Sequence, residues 1–284
     1  MNDQAHKLRQ RMNESARTYA VVSGKGGVGK SNITTNLAIL LGKRGKRVLL
    51  FDMDIGMGNV HLLLGSHRKY SVMDYIEDGN KTIHDVVCKD VHGISYISGG
   101  NGLKDLVEWH GERMDRFFEG LKELMRHYDY ILFDMGAGAT SASIEFLMSV
   151  DEIIAVTTPE PTAMTDVYSM MKYIFLRDRS REISILCNRA STKREGRETL
   201  IRLKHTVGKF LLKEVTDLGF LPEDPTVRKA VVNQVPLVIG YPASAVSRSL
   251  KDVLDVLIPT GVKVKKSSFI EGFRTFFKGV DAVD

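Results

Sequence analysis

The chain has 284 residues, 43% of them hydrophobic and 26% charged, which is enough to bury one large core. No run approaches the 18 apolar residues of a membrane span, and MNDQAHKLRQRMNESAR at the start lacks the apolar centre of a secretory signal, so the chain is expected in the cytoplasm. The net charge is +5, but residues 193–213 hold seven Lys/Arg against two Glu and residues 263–278 hold five against one; the remainder is net acidic, and basicity is confined to particular surfaces.

In chain order, residues 1–17 contain a short apolar stripe, Ala5, Leu8 and Met12, too small to fold alone. Apolar, β-branched runs ending in turn or polar residues then recur at 18–24, 46–52, 93–100, 128–134, 152–159, 182–189 and 217–222. Between them lie 3.6-period patterns at 29–44, 110–127, 163–177, 195–214 and 243–257. Strands alternating with helices predict an α/β fold, a single doubly wound, mostly parallel sheet flanked by helices, spanning 18–260. Consecutive apolar positions such as VLLF and YILF suit strands covered on both faces. The two cysteines, Cys88 and Cys187, sit in hydrophobic runs with no CxxC and no histidine at metal-ligand spacing, and are expected as buried, reduced thiols.

The first strand runs into SGKGGVGKSN and then a helix. Gly26, Gly27, Val28 and Gly29 would present backbone N–H groups at the positive end of that helix, a cradle for polyphosphate. Lys30 would meet the terminal phosphates, Ser31 would ligate Mg²⁺, and Asn32 follows where a second hydroxyl residue is usual. YDYILFDMGAG places Asp134 at a strand tip, where a carboxylate can hold a water of the metal ion. LLFDMDIGMGN places Asp52 and Asp54 at another, with one of them able to orient an attacking water. A lone aspartate at a strand end is often a cap, but beside a phosphate loop the metal and water roles prevail.

KGGVGKS, DMDIGMGN and ILFDMGAG together resemble the deviant Walker A, A′ and B motifs of the MinD/ParA group of P-loop ATPases, over roughly residues 18–258. The resemblance implies an ATP-dependent homodimer that hydrolyses ATP to ADP. Lys25 matches the group's signature lysine, which reaches the partner subunit's phosphates, and Asp54 matches its hydrolysis aspartate. Glu160 in TTPEPTAMTDVY is a candidate contact to the partner's nucleotide. Asn188 and Arg189 in LCNR and the turn Pro222-Glu223-Asp224 correspond to the adenine-side loops. A cation entering a closing, water-excluded site acts strongly on developing phosphate charge, so dimerisation would complete the catalytic set.

Two further segments narrow the resemblance. Residues 261–284 place Phe269, Ile270, Phe273, Phe276, Phe277 and Val280 on one helical face beside Lys265, Lys266, Arg274 and Lys278, the pattern of an interfacial helix for anionic lipid; docking on the protein's own core is the competing reading, and the two can alternate. DQAHKLR at the N-terminus matches the DQAxxLR element of the flagellar MinD-like ATPases of the FlhG (FleN/YlxH) type. There it stimulates the signal-recognition-type GTPase FlhF, which gives roles to Asp3, Gln4, Ala5, Leu8 and Arg9. The family's flagellar C-ring switch partners make the basic helix near 193–213 a candidate docking surface, with Lys172, Arg202 and Phe210. Leu200, Ile201, Leu203, Val207, Phe210 and Leu211 are expected on the helix's buried side. A DNA-partition ATPase, the first rival, would use the basic helices but not the phenylalanine-rich tail, so no nucleic acid partner is expected. A division-site MinD leaves DQAHKLR without a use, and a nitrogenase-type reductase needs cluster cysteines near the dimer axis.

Overall fold

The computed structural model describes residues 16–54, 60–66, 69–100 and 111–259, together with Phe269 and Gly272 of the tail. Elements follow in chain order as β1 (Arg17–Ser23), α1 (Lys30–Lys43), β2 (Val48–Met53), α2 (Val60–Leu63), α3 (Val72–Glu77), a 3₁₀ turn (Ile83–Val86), β3 (Cys88–Val91), β4 (Ile94–Ser98) and α4 (Glu112–His127). The second half holds β5 (Tyr130–Ala137), α5 (Ser141–Leu147), β6 (Glu152–Thr157), α6 (Pro161–Arg177), β7 (Ile183–Ala190), α7 (Lys193–Leu211), β8 (Thr216–Pro222), α8 (Pro225–Val232), α9 (Leu237–Gly240) and α10 (Ala245–Leu257).

The strands form one sheet in the order β3-β4-β2-β5-β1-β6-β7-β8, parallel throughout except for the β3–β4 pair. Helices cover both faces, which explains the unbroken apolar runs. Along β2, Leu49 and Phe51 join the core that also holds Phe117 of α4 and Phe146 of α5, while Leu50 between them joins Leu37 of α1 and Leu254 of α10. This is the period-two alternation of a strand, with apolar residues at every position because both faces are dry.

β3 has no counterpart among the expected strands. Its sequence, CKDV, is short and only half-buried, as suits an edge, and it returns to β4 through His92 and Gly93, whose φ values of 54° and 81° are the left-handed pair of a two-residue hairpin turn. Cys88 is consequently half-exposed, while Cys187 is buried within β7, where burial pushes its thiol up to about 12. α7 also departs from expectation. Ile201 and Phe210 point outward, 63% and 64% exposed, so its buried stripe is Leu200, Leu203 and Val207 with Leu211 at its edge.

The tail's Phe269 is fully buried in the core. Its ring stacks on Phe133 of β5 at 5.4 Å between centroids and meets Phe146 edge-on at 5.7 Å. Burying a side chain of this size stabilises by about 2–3 kcal/mol, and each aromatic pair adds roughly 0.5–1.5.

Candidate functional site

Parallel pairing brings the carboxyl ends of the central strands together, the place where such sheets bind ligands. Asp52 of β2 and Asp134 of β5 are direct register partners, and β1, beside β5, delivers the chain into the glycine loop. Gly27 and Gly29 have φ of 79° and 93°, conformations that only glycine adopts at ease, and Gly29 is the residue from which α1 starts. A Cβ on Gly29 would lie 2.3 Å from the Asn188 amide nitrogen, which instead donates to the Val28 carbonyl at 2.7 Å. Asn188 is thus a clamp on the phosphate loop from β7. Ser31 and Asn32 occupy the first turn of α1, and Asn32 accepts from Asn36 through both its carbonyl and its side-chain oxygen.

Lys30 and Asp134 form a buried ion pair at 3.0 Å, and Thr34, one turn along α1, donates to the same carboxylate oxygen at 3.2 Å. The other oxygen of Asp134, and one oxygen of Asp52, are buried with no hydrogen-bond partner. Burial and the adjacent Asp134 push Asp52 up to about 7, against the hydrogen bond from the Asp54 amide. Burial also raises Asp54, with Lys30 pulling the other way. Two neighbouring carboxylates, each with an unsatisfied oxygen and one resisting ionisation, fit a hydrated divalent cation of the Mg²⁺ class. Asp54 lies at the rim, its Oδ1 3.6 Å from where a Cβ on Gly136 would stand, facing the carboxyl end of β5.

Lys25 does not join this cluster. Its ammonium is ion-paired with Glu160 and donates to Thr162 at 3.1 Å, both at the start of α6, while the Ser23 hydroxyl donates to its carbonyl at 2.9 Å. The hydrogen bond from Lys25 holds the Glu160 carboxyl below its ordinary range. Pair members this exposed hold each other weakly. The contact is possible because α6 comes so near β1 that a Cβ on Gly24 would meet Asp166 backbone at 2.3 Å.

On the far side, Arg189, with φ 58°, reaches Glu223 at 3.8 Å, and the Glu223 amide donates to Ala190, which joins the 188–189 and 222–224 segments into one rim. Asp224 caps α8 by accepting from Thr226. The candidate surface residues Lys172 on α6 and Arg202 and Phe210 on α7 are all exposed. Asp3, Gln4, Ala5, Leu8, Arg9, Ile270, Phe273, Phe276 and Phe277 lie outside the described residues. Thr34 and Thr162 have no sequence signal; a threonine inside or at the start of a helix predicts nothing about its partner.

A ParA family model, described as an NUBPL iron-transfer P-loop NTPase, matches residues 14–258. The chain belongs to the ParA family of P-loop NTPases. This ParA-family ATPase is 31% identical to the antiactivator FleN of Pseudomonas aeruginosa over 84% of each chain, and 30% identical to the flagellum site-determining protein YlxH of Helicobacter pylori over 98% of each. It therefore stands with the FleN/YlxH proteins, as its motifs predict. Among solved structures, the septum site-determining protein MinD complexed with Mg-ADP from Pyrococcus horikoshii is similar with a TM-score of 0.69 at 25% identity, covering 88% of this chain and 99% of that one. The two cysteines lie far apart in the sheet: Cys88 is on the edge strand β3 and Cys187 is buried in β7, near the opposite edge.

Proposed function

We propose that this ATPase is an ATP-dependent dimerising switch that associates reversibly with the inner face of the cell membrane and controls flagellar number and placement. The observation that carries the reading is Lys25. A loop complete with Lys30 holds a second lysine at its outer rim, engaged by Glu160 and Thr162 rather than by its own phosphate cradle. A partly exposed cation beside a weakly held carboxylate is suited to exchange its partner for the phosphates of a second subunit.

In this reading ATP binds along residues 26–32, with the base toward Asn188, Arg189 and 222–224, and Glu160 meets the partner's nucleotide. Mg²⁺ held by Ser31, Asp52 and Asp134 would draw charge from the phosphates. The chain's own groups do the rest: the loop amides and Lys30 fix the phosphates, and Asp54 orients the attacking water. The tail supplies the membrane step. Phe269 rests on Phe133, the residue before Asp134, so the docked tail and the acidic strand end share one element. Released, the face of Phe269, Ile270, Phe273, Phe276 and Phe277 would enter anionic lipid, and two tails on a dimer would bind far more tightly than one. Vesicles containing anionic lipid should co-sediment wild type more with ATP than with ADP, and Phe273→Asp should lower the ATP value; equal binding in all three overturns the membrane reading.

Residues 3–9 would contact the GTPase FlhF, with Gln4 lending a polar group to its site and Leu8 anchoring the segment, and Lys172, Arg202 and Phe210 would face the flagellar C-ring. Gln4→Ala is expected to leave the chain's own ATPase unchanged and to abolish stimulation of FlhF GTP hydrolysis in a coupled phosphate-release assay. Loss of both activities, or of neither, contradicts the assignment.

A further inference from the structure

A second cluster of ligand-type side chains lies away from the phosphate loop. His84 on the 3₁₀ turn, and Glu123 and His127 one turn apart on α4, each offer a ligand atom within 4.8 Å of the other two. His84 Nε2 is 3.4 Å from Glu123 Oε1, His127 Nδ1 is 3.7 Å from that same oxygen, and the two imidazole rings stand edge-to-face at 4.9 Å between centroids. His84 and His127 border an open cavity of about 490 Å³ lined also by Lys46, Arg47, Lys89, Asp90 and Tyr128. These are the amino-terminal ends of β2, β4 and β5, whereas the nucleotide site occupies their carboxyl ends.

We propose that His84, Glu123 and His127 form a binding site for a borderline divalent transition metal of the Zn²⁺ class. Two imidazoles and one carboxylate are a known three-ligand set for such ions, with bonds near 2.0–2.2 Å. Tetrahedral bonds of that length set ligand atoms roughly 3.3 Å apart, so the 3.4 Å between His84 Nε2 and Glu123 Oε1 needs little contraction. Glu123 and His127 share a helix face because they are four residues apart. His127 Nδ1 lies 2.8 Å from the Glu123 carbonyl oxygen, which can only accept; the proton is therefore on Nδ1 and the lone pair on Nε2. A backbone carbonyl fixing one nitrogen is the usual way a metal-ligating histidine is oriented. Imidazole donors favour Zn²⁺, Co²⁺, Ni²⁺ or Cu²⁺ over Mg²⁺, which separates this site chemically from the one at the phosphate loop. The three side chains are half-exposed, so an ion can enter without unfolding. A bound ion would cross-link the 3₁₀ turn to α4 beside the edge hairpin.

The test uses the full-length protein, free of any affinity tag, with Mg²⁺ and ADP saturating the phosphate loop. Calorimetric titration with Zn²⁺ should show one site, and Zn²⁺ but not additional Mg²⁺ should raise the melting temperature. His84→Ala and His127→Ala should each weaken that site at least about tenfold, while circular dichroism and ADP binding stay as in wild type. Glu123→Gln gives a third variant that preserves shape if either alanine variant misfolds. X-ray absorption should show nitrogen and oxygen around the metal and no sulfur. Absence of Zn²⁺ binding by wild type, unchanged affinity in the variants, or sulfur in the coordination shell, which would place the ion at Cys88, overturns the proposal.

Discussion

Asp54→Ala protein given ATP is expected to elute from gel filtration as a stable dimer, while the wild type returns to monomer as it consumes the nucleotide. The side chain stands apart from the groups that hold phosphate. Lys30 is engaged with Asp134, the loop glycines are set by their own backbone and by Asn188, and Asp52 carries a buried oxygen with no hydrogen-bond partner. Removing Asp54 leaves all of these in place and takes away the group proposed to orient water. Losing such positioning costs typically 10²–10⁴-fold in rate, so turnover should fall at least about a hundredfold while ATP affinity changes little. A mutant that stays monomeric with ATP shows that the nucleotide does not drive association. One that dimerises and still hydrolyses at the wild-type rate shows that Asp54 is not the water's partner.

The same two strand ends show what a sequence discloses and what it does not. Asp52 and Asp134 are legible because each terminates an apolar run long enough to be a buried strand, and the topology then makes them register neighbours. Their coupling is not legible: an Asp52 pushed up to about 7 depends on burial and on a carboxylate 82 residues away in the chain. β3 escapes a hydrophobicity reading because an edge strand needs no apolar face, and its turn relies on a left-handed histidine rather than an Asn-Gly signal. On α7 the 3.6-residue period cannot tell Leu200 from Ile201 at its margin, since both are apolar and adjacent; packing against β7 and β8 decides that Leu200 goes inward. The tail face was legible as apolar and helical in period, yet pattern alone leaves core and membrane equally served, and it is the stacking of Phe133 and Phe146 on Phe269 that gives the core a claim. The cluster of His84, Glu123 and His127 is invisible in one dimension because its members come from a turn and a helix 39 residues apart.

Lys25→Ala is expected to bind ATP within about threefold of wild type and to lose hydrolysis by roughly 10² or more, toward the 10³–10⁵-fold effect of cations supplied in trans to phosphoryl transfer. Binding should survive because Lys25 lies outside its own cradle, engaged by Glu160 and Thr162, and the amides, Lys30 and Ser31 remain. Hydrolysis should fall because a cation delivered to a closed interface acts where water no longer screens it. The decisive version mixes subunits. Lys25→Ala and Asp54→Ala proteins are each inactive alone, but in a mixed dimer the Lys25→Ala subunit keeps its own Asp54 and receives an intact Lys25 from its neighbour. One working site per mixed dimer should restore ATP turnover, whereas a lysine that serves its own subunit leaves both sites dead and the mixture silent. Glu160→Gln separates release from delivery. Weakening the resting contact without removing Lys25 should favour the ATP-bound dimer if the ion pair only stores the lysine, and should weaken that dimer if Glu160 is itself needed by the partner's nucleotide.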